Sequence, residues 1–200
     1  MTREDPPLID RQFSVGDELR LGTTNVRVLV TEQQVRERVN DMGARLRDRF
    51  PGDVPIFIGL LTGGVVFLSD LVRAYGGEHQ VDFLKVSRYD PTRKDPTALR
   101  VVHDLGTDIR GRVVVLVEGV RARGTKIQYV DRFLRLHEPK SIEYYALIEP
   151  EDAQRSVPLN DAGFRIDKEF VVGYGLDFEE HYRNLPFIGA LTVEGMPRVP

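Results

Sequence analysis

The sequence has 200 residues, of which 41% are hydrophobic and 30% are charged, and its formal net charge is −3. This length suits one domain with a substantial core, and the composition is that of a soluble globular protein. The sequence contains no cysteine, which excludes disulfide bonds, cysteine nucleophiles and thiolate metal sites. The weak negative charge gives no general reason to expect binding to nucleic acid or to acidic membranes.

The N-terminal segment, residues 1–27, is largely polar, contains prolines and shows no clear periodicity. We predict that it forms an arm, and that residues 28–200 form the domain. The segment lacks the apolar core of a signal peptide, and no later stretch approaches the roughly 20 apolar residues that cross a bilayer. We therefore expect a cytoplasmic protein with no membrane partner.

Helices and strands alternate along the rest of the chain. Thr31 is placed to cap a first helix that ends at Pro51–Gly52, and apolar residues recur along this helix at helical spacing. Short apolar runs predict buried strands, at residues 55–61, 80–86, 112–117, 141–147 and 169–173. Two more helices are predicted at residues 65–75 and 125–136. Residues 87–98 are charged, contain two prolines and are predicted to be a mobile loop.

This alternation predicts an α/β fold with a mainly parallel twisted sheet that helices cover on both faces. In such a sheet, ligands bind beyond the carboxyl ends of the strands, where the loops gather. The loops expected to form the site are residues 62–64, 87–98, 118–126, 149–150 and 177–183. The four histidines are scattered without metal-ligand spacing, and we interpret them as ordinary surface or core residues.

Four segments match one protein family in order and in spacing. They are Ile58–Arg73, Val81–Tyr89, Asp104–Gly111 and Phe170–Pro186. The last segment is the most specific, because so long a string is hard to produce by chance. Together the segments resemble type I phosphoribosyltransferases, in particular bacterial hypoxanthine-guanine phosphoribosyltransferases, over residues 28–191. The resemblance implies the fold of that family, in which a small hood region adjoins the parallel sheet.

The resemblance also implies a transferase reaction. In this family of glycosyltransferases, the 5-phosphoribosyl group of phosphoribosyl pyrophosphate moves to a purine base, and Mg²⁺ bridges the donor. Backbone N–H groups at a glycine-bearing turn that opens a helix would bind the 5′-phosphate, and acidic groups would hold Mg²⁺ and the ribose hydroxyls. The implied partners are a small phosphate or nucleotide ligand and further copies of the chain, because members of this fold commonly form dimers or tetramers.

The central motif of the family is rewritten in this sequence. The family pattern is Val-Glu-Asp, two hydrophobic residues and Asp-Thr-Gly-x-Thr, and the aligned run here is Val117–Lys126. Glu118 is kept, but Gly119 replaces the acid that the resemblance assigns to the ribose hydroxyls. Ala122 replaces the aspartate assigned as base toward the purine, and Arg123 replaces a threonine that helps to hold the phosphate. Because loss of acid–base assistance alone costs about 10²–10⁴-fold in rate, we expect ordinary transfer to be poor.

Two further departures concern the pyrophosphate turn and the base. Thr62, followed by Gly63, replaces the lysine that is usual in the pyrophosphate turn, and Glu149 replaces the lysine that contacts the purine 6-oxo group. A carboxylate in that place would repel a carbonyl oxygen and favour an amino, amidine or guanidine group. The sequence therefore predicts a changed choice of base.

The remaining positions of the family site are retained or modified, and the resemblance assigns their roles. The candidate catalytic residues are Glu118, Asp177 and Arg183, of which the two acids are also the candidate Mg²⁺ ligands. The residues predicted to bind the base or acceptor are Glu149, Phe170 and Val171. The residues predicted to bind phosphate are Arg123, Gly124, Thr125 and Lys126. The flexible loop contributes Arg88 and Tyr89.

Several of these residues also have plainer interpretations. Arg123 and Lys126 could be solvated charges on a surface turn, and Glu149 could be a surface residue on a shifted loop. Asp177 and Arg183 could pair with each other as structural groups. The Phe170 ring, which the resemblance assigns to stacking on the base, could instead belong to the core.

Two functions are open at this point. The first is an enzyme that acts on a phosphorylated or nucleotide-like substrate, either as a divergent salvage transferase or repurposed in a specialised biosynthetic pathway. The second is a non-catalytic protein that senses a nucleotide or partners an active homologue. The replacements at Gly119 and Ala122 favour the second function, and the intact segment Asp177–Arg183 favours the first.

Overall fold

The computed structural model describes residues 8, 11–22, 24–88, 99–121, 125–150, 157–166 and 169–193. In this part of the chain the backbone forms three helices and two sheets. In chain order, the strands are β1 (Glu18–Leu21), β2 (Thr24–Val30), β3 (Ile56–Leu60), β4 (Gln80–Arg88), β5 (Leu99–His103), β6 (Val113–Val120), β7 (Ser141–Glu149), β8 (Asp161–Arg165), β9 (Val171–Val172) and β10 (Ile188–Val193). The helices are α1 (Glu32–Arg47), α2 (Val65–Tyr75) and α3 (Thr125–Leu136).

The larger sheet is mainly parallel. Its strand order is β5-β4-β3-β6-β7-β8, and every neighbouring pair is parallel except β4 with β5. All residues of β3 are buried, because Phe57 packs with α1 and α2 on one face while Ile56 and Ile58 pack with α3 on the other. Burial on both faces explains why the strand is an unbroken apolar run. The predicted α/β fold with helices on both faces is confirmed.

The helices begin and end close to their predicted bounds. Thr31 caps α1 as predicted: its hydroxyl accepts a hydrogen bond from the backbone N–H of Gln34, and the Gln34 side chain accepts one from the backbone N–H of Thr31. This reciprocal arrangement is a capping box. In the part of the chain that the structure describes, no helix combines the length and the apolar character needed to cross a membrane.

The smaller sheet is antiparallel, with the order β1-β2-β10-β9, and it corresponds to the predicted hood region. Its core is built from side chains of β2, β9 and the chain before β10. Val26, Val28, Val172 and Phe187 are fully buried there. The two ends of the described chain therefore meet in one sheet, beside the larger one.

The predicted boundary between arm and domain, at residues 27 and 28, falls inside β2. Arg27 pairs with Glu18 of β1 on one side and with Ala190 of β10 on the other. The residues from Glu18 onward are therefore part of the folded domain rather than of an arm. The signal for β2 is an alternation of valines whose side chains are buried, but charged and polar residues around it hide this short pattern.

Besides β2, the described part of the chain contains four strands that the sequence pattern does not predict, namely β1, β5, β8 and β10. β5 and β8 are the edges of the larger sheet, where partial exposure removes the continuous apolar run that marks a central strand. The predicted strand at residues 169–173 shortens to the two residues of β9. β4 continues through Ser87 and Arg88, which we predict as loop, and residues 89–98 of that loop lie outside the described residues.

Replacing Thr31 with alanine removes the capping hydroxyl of α1 and should lower the free energy of unfolding by about 1 kcal/mol. The measurement is urea unfolding followed by circular dichroism. Gln33→Ala is the control, because Gln33 lies in the same turn and makes a surface hydrogen bond to Glu37. Equal unfolding midpoints for Thr31→Ala and the wild type would show that the capping box does not stabilise the helix.

Candidate functional site

A cleft of about 370 Å³ lies where the carboxyl ends of β6 and β7 face β9 and the chain that follows it. Most of its walls are apolar side chains from the two sheets. The lining residues are Val120, Arg121, Ile148, Pro150, Ile166, Glu169, Phe170, Val171, Leu176 and Asp177. Ligands of parallel α/β sheets bind at this end of the strands, and the volume suits a small organic molecule.

Two residues predicted to bind the base, Phe170 and Val171, line the cleft. Phe170 is 38% exposed, and its ring lies edge-on to that of Phe178 with 5.5 Å between the ring centres. The Phe170 carbonyl accepts a hydrogen bond from the N–H of Leu191, and Val171 pairs with Ala190 in the β9–β10 ladder. The ladder fixes the backbone, while the exposed part of the Phe170 ring can stack on a planar ligand.

Asp177 is held by the loop that follows β9. One carboxylate oxygen lies 2.7 Å from Nη1 of Arg183, and the other accepts a hydrogen bond of 3.0 Å from the N–H of Glu180. Arg183 also donates to the carbonyl of Gly175 and to the Glu180 side chain. The hydrogen bond from Arg183 lowers the pKa of the exposed Glu180 carboxyl. The structure thus brings Asp177 and Arg183 together, which also fits their plainer interpretation as a structural pair.

A hydrogen bond anchors the start of this loop on α2. The Tyr174 hydroxyl donates to the Asp70 carboxylate, which also pairs with Arg73. Tyr174 has a φ of 49°, in a left-handed region that is rare for residues other than glycine and persists where contacts fix it. Burial and, to a lesser extent, the hydrogen bond to Asp70 raise the pKa of Tyr174, so this hydroxyl stays a donor at neutral pH. The chain that leads to Asp177 is therefore fixed relative to α2.

The turn that the resemblance assigns to pyrophosphate, Thr62 and Gly63, connects β3 to α2 and contains a cis peptide bond between Leu61 and Thr62. The carbonyl of Gly63 lies against Gly119, near the end of β6. A Cβ atom at Gly119 would lie 2.5 Å from the Gly63 oxygen and 2.7 Å from the Leu176 side chain. The position that carries an acid in the family pattern therefore has no room for a side chain unless the turn and Leu176 move.

Glu118, the predicted catalytic acid and metal ligand, is buried. Its side chain is 3% exposed, and Oε1 accepts a hydrogen bond of 3.1 Å from Nη1 of Arg121. Arg121 is equally buried and donates from Nη2 to the carbonyls of Val157 at 2.5 Å and Pro158 at 3.4 Å. Its guanidinium carbon lies 5.7 Å from the centre of the Tyr144 ring, a cation–π distance. Arg121 thus joins the end of β6 to the chain that leads into β8.

The two acids predicted to hold Mg²⁺ do not form a ready ligand set. Glu118 pairs with Arg121 inside the protein, and Asp177 pairs with Arg183. Among the residues that the structure describes, no three Asp, Glu, His or Cys side chains lie close enough together to hold a metal ion. Mg²⁺ demands oxygen ligands in near-octahedral geometry and keeps several waters. Glu118, which is enclosed and paired with Arg121, therefore does not fit the metal-ligand role that the resemblance implies.

Glu149, predicted to bind the base, does not line the cleft. It ends β7, is 7% exposed, and its carboxylate lies 3.2 Å from Nε of Arg165 on β8. It faces a separate hollow of about 420 Å³, which Arg38 and Arg165 also line. Successive side chains of a strand point to opposite faces, and here Ile148 lines the cleft while Glu149 does not. The structure therefore keeps Glu149 apart from Phe170.

The predicted phosphate turn is described only in part. Thr125 opens α3 and is exposed, and Lys126 follows it and is partly buried. The first N–H groups of a helix lack partners within the helix and favour an anion. Arg123 and Gly124 lie outside the described residues, as does Tyr89 of the flexible loop. A phosphate-binding role for this turn stays a prediction.

Two charged residues of the cleft are missing from the sequence-based site. Arg121 has a signal in the sequence, because it is a charged residue where the family pattern has a hydrophobic one, three positions after Glu118. Glu169 has none, because its partner is distant in the chain: the carboxylate lies 2.8 Å from Nη2 of Arg27 on β2. Only the folded arrangement of β2 beside β10 and β9 brings these two residues together.

Gly119→Ala places a methyl group against the Gly63 carbonyl and should lower the free energy of unfolding by about 1–3 kcal/mol. Gly63→Ala is the matched control, because a Cβ atom there would meet the Leu176 side chain at an ordinary 3.5 Å. Urea unfolding of both variants measures the difference. If Gly119→Ala proves no less stable than Gly63→Ala, the close contacts at Gly119 do not oppose a side chain there.

Arg121→Met removes the guanidinium that pairs with the buried Glu118 carboxylate and should lower the free energy of unfolding by about 3–5 kcal/mol. The double variant Glu118→Gln/Arg121→Met replaces the charged pair with uncharged side chains of similar size and should recover most of that loss. A double-mutant cycle completed with Glu118→Gln measures the coupling between the two residues. If the losses in stability of the two single variants add up to that of the double variant, Glu118 and Arg121 do not stabilise each other.

Comparison with known proteins gives the family of the chain. Residues 29–179 match the model of the phosphoribosyl transferase domain. Hypoxanthine phosphoribosyltransferase of Escherichia coli (strain K12) is 35% identical over 171 residues, which cover 84% of this chain and 96% of that protein. Hypoxanthine-guanine phosphoribosyltransferase of Bacillus subtilis is 32% identical over 166 residues, which cover 82% of this chain and 92% of that protein.

Solved structures agree with the sequence match. The crystal structure of a hypoxanthine-guanine phosphoribosyltransferase from Bacillus anthracis has a TM-score of 0.77 and 28% identity, covering 84% of this chain and 99% of that chain. A hypoxanthine phosphoribosyltransferase from Staphylococcus aureus has a TM-score of 0.77 and 31% identity, covering 83% of this chain and 91% of that chain. By sequence and by fold, the chain therefore belongs to the phosphoribosyltransferase family, among relatives named for hypoxanthine or for hypoxanthine and guanine.

Proposed function

We propose that this member of the phosphoribosyltransferase family binds a nucleotide-like ligand in the cleft and is strongly impaired in phosphoribosyl transfer to a 6-oxopurine. The observation that carries the proposal is the close packing at Gly119, where Gly63 and Leu176 occupy the space of a side chain. An acid that would hold the ribose hydroxyls is absent there, and the surrounding atoms leave no room for another group to take its place.

The base of the ligand would lie against Phe170. The exposed part of this ring and the apolar side chains of Ile148 and Leu176 offer a planar, dry surface, and stacking of a base on an aromatic ring contributes about 1–3 kcal/mol. The backbone of Val171 lies beside the ring and supports contacts to the edge of the base. The apolar character of the walls supports a planar heterocycle as the bound group.

The phosphate would bind at the start of α3. The resemblance assigns this role to the turn Arg123–Lys126, which keeps a glycine and gains two cations relative to the family pattern. Asp177 and Arg183 would face the ribose and pyrophosphate side, and Thr62–Gly63 would flank it. In this proposal the cationic turn would bind the phosphate and the apolar walls would bind the base, as a nucleoside monophosphate requires.

Transfer would be impaired because the two acids that the family pattern assigns to the ribose hydroxyls and to the purine proton are absent from the sequence. The transition state develops positive charge on the ribose, and the departing proton of the purine needs a base. Gly119 and Ala122 supply neither, and the charge of Glu118 is already balanced by Arg121. Loss of the acid–base group alone lowers a rate by about 10²–10⁴-fold.

The base would carry hydrogen-bond donors rather than a 6-oxo group. Among the described residues of the cleft lining, the charged side chains are Arg121, Glu169 and Asp177, and Arg121 is buried against Glu118. Both oxygens of Asp177 are engaged by Arg183 and by the Glu180 N–H, so Glu169 is the carboxylate that would accept hydrogen bonds from the base and repel a carbonyl oxygen. We therefore propose an amino-substituted base, with Glu169 rather than Glu149 as the acceptor nearest to it.

A second candidate is a non-catalytic nucleotide sensor or a partner of an active homologue. The buried state of Glu118 favours it, because the acid kept from the family pattern is engaged inside the protein. The two candidates differ in whether phosphoribosyl pyrophosphate binds and reacts. Homo-oligomer formation and a cytoplasmic location are expected for both.

Calorimetry with AMP, GMP, IMP and phosphoribosyl pyrophosphate, each with and without Mg²⁺, tests the proposal. We expect AMP to bind more tightly than IMP and GMP, because AMP has a 6-amino group where the other two have a 6-oxo group. Phe170→Ala should weaken AMP binding about tenfold or more. Leu136→Ala is the control, since Leu136 is a highly exposed apolar residue at the end of α3 and is absent from the cleft lining.

A transfer assay with hypoxanthine, run beside the Escherichia coli relative, completes the test. We expect a rate lower by at least about 10²-fold. A rate within about tenfold of the relative, together with Mg²⁺-dependent binding of phosphoribosyl pyrophosphate, would contradict the proposed impairment. Binding of monophosphates with no binding of phosphoribosyl pyrophosphate would favour the sensor.

A further inference from the structure

Arg121 is a buried cation that the proposed function leaves unused. It stands at the end of a central strand, where the family pattern has a hydrophobic residue, and its side chain is 3% exposed. A guanidinium carries five N–H donors and keeps its charge at any pH at which a protein folds. A charge placed so deep requires a counter-charge and satisfied hydrogen bonds, because desolvation costs several kcal/mol per ion.

The structure supplies both requirements. The Glu118 carboxylate provides the counter-charge, and the carbonyls of Val157 and Pro158 accept from the other side of the guanidinium. The Tyr144 ring covers one face, and its hydroxyl donates to Asp131 on α3. The Arg121 guanidinium is therefore contacted on three sides, and Glu118 is the carboxylate among its hydrogen-bond partners.

This arrangement conflicts with a metal-binding role for Glu118. A divalent cation needs carboxylate oxygens that also meet its bound waters, whereas the Glu118 side chain is almost wholly enclosed and balanced by a cation that cannot leave. Asp177, the other predicted ligand, has one oxygen on Arg183 and the other on the Glu180 N–H. Both acids are already matched by groups of the chain itself.

We infer that Arg121 is an internal counter-ion that takes the place of a divalent cation at Glu118, so that ligand binding in the cleft does not depend on Mg²⁺ through this acid. Arg121 is a positioning residue: it holds Glu118 inside the protein and ties the end of β6 to the chain before β8. The inference deepens the proposed function and rests on it for the nature of the ligand.

A consequence for the ligand class follows from charge. Mg²⁺ is usually bound by one or two carboxylates together with substrate phosphates, and a pyrophosphate depends on it to offset its several negative charges. A cleft without such an ion is matched to a phosphate monoester, which carries less negative charge than a pyrophosphate and which one helix N-terminus can offset in part. Nucleoside monophosphates should therefore bind better than phosphoribosyl pyrophosphate, with or without Mg²⁺.

Mn²⁺ is the probe for this inference, because its effect on water-proton relaxation reports binding directly, with no need for catalysis. The full-length wild type, Glu118→Gln, Arg121→Met and Glu118→Gln/Arg121→Met are titrated with Mn²⁺ alone and again with AMP, against an AMP blank. We expect the wild type and Glu118→Gln to give the same relaxation curves. Arg121→Met should gain Mn²⁺ binding, and the double variant should lose that gain, because the carboxylate is then absent.

Removal of a true ligand or its supporting group weakens metal binding about tenfold to a hundredfold. If Glu118→Gln weakens Mn²⁺ binding of the wild type by that factor, the inference is overturned. It is also overturned if folded Arg121→Met binds no more Mn²⁺ than the double variant does. Should Arg121→Met fail to fold, the comparison of wild type with Glu118→Gln decides alone.

The failure of the proposed function has a different signature. If no monophosphate binds to the wild type at any Mg²⁺ concentration, the nucleotide-like ligand is wrong, yet the Mn²⁺ titrations without AMP still decide whether Glu118 binds metal. If AMP binds to the wild type and Mg²⁺ strengthens this binding about tenfold through Glu118, the ligand is right and the internal counter-ion is wrong.

Discussion

The parallel pairing of β3 with β6 is the constraint on which the candidate site depends. It aligns Gly59 with Val117 and brings the ends of both strands to the same edge of the sheet, so the turn after one strand lies beside the residues that end the other. Because the two strands are buried on both faces, a one-residue shift in register would move every side chain to the opposite face of the sheet. The contact between Gly63 and Gly119, and the cleft beyond it, follow from this fixed alignment.

Charge in the cleft is balanced pair by pair. Among its described lining residues, Arg121 pairs with Glu118, Glu169 with Arg27 on β2, and Asp177 with Arg183. The exposed pair at Glu169 contributes little to stability, whereas the enclosed pair at Arg121 is costly to form and more costly to break. A ligand therefore meets packed apolar walls and backbone groups with little net field from side chains. In the proposed binding mode, shape and stacking would dominate recognition at the base end, and the N-terminus of α3 would supply positive potential at the other.

The sequence predicts the features that depend on local pattern and fails where long-range geometry decides. Central strands such as β3 and the capping box at Thr31 are predictable, because burial on both faces and a cap leave local signatures. Phe170 and Asp177 line the cleft as their motif suggests, but Glu149 does not, because β7 runs two residues past its predicted end and alternation turns this side chain away. The pairing of Glu118 with Arg121, which directly follows β6, leaves no periodic signature in the sequence.

The close packing at Gly119 also bears on how such a site can change over time. Once an acid is lost from a crowded turn, neighbouring atoms can settle into the vacated space, and here a carbonyl and a leucine side chain occupy it. The single substitution Gly119→Asp would place its side chain against both of these groups. Restoring the acid requires the turn at residue 63 and the leucine at residue 176 to yield at the same time. A sequence with glycine at this position can therefore regain the acid only through coordinated changes at several positions, and not through one substitution.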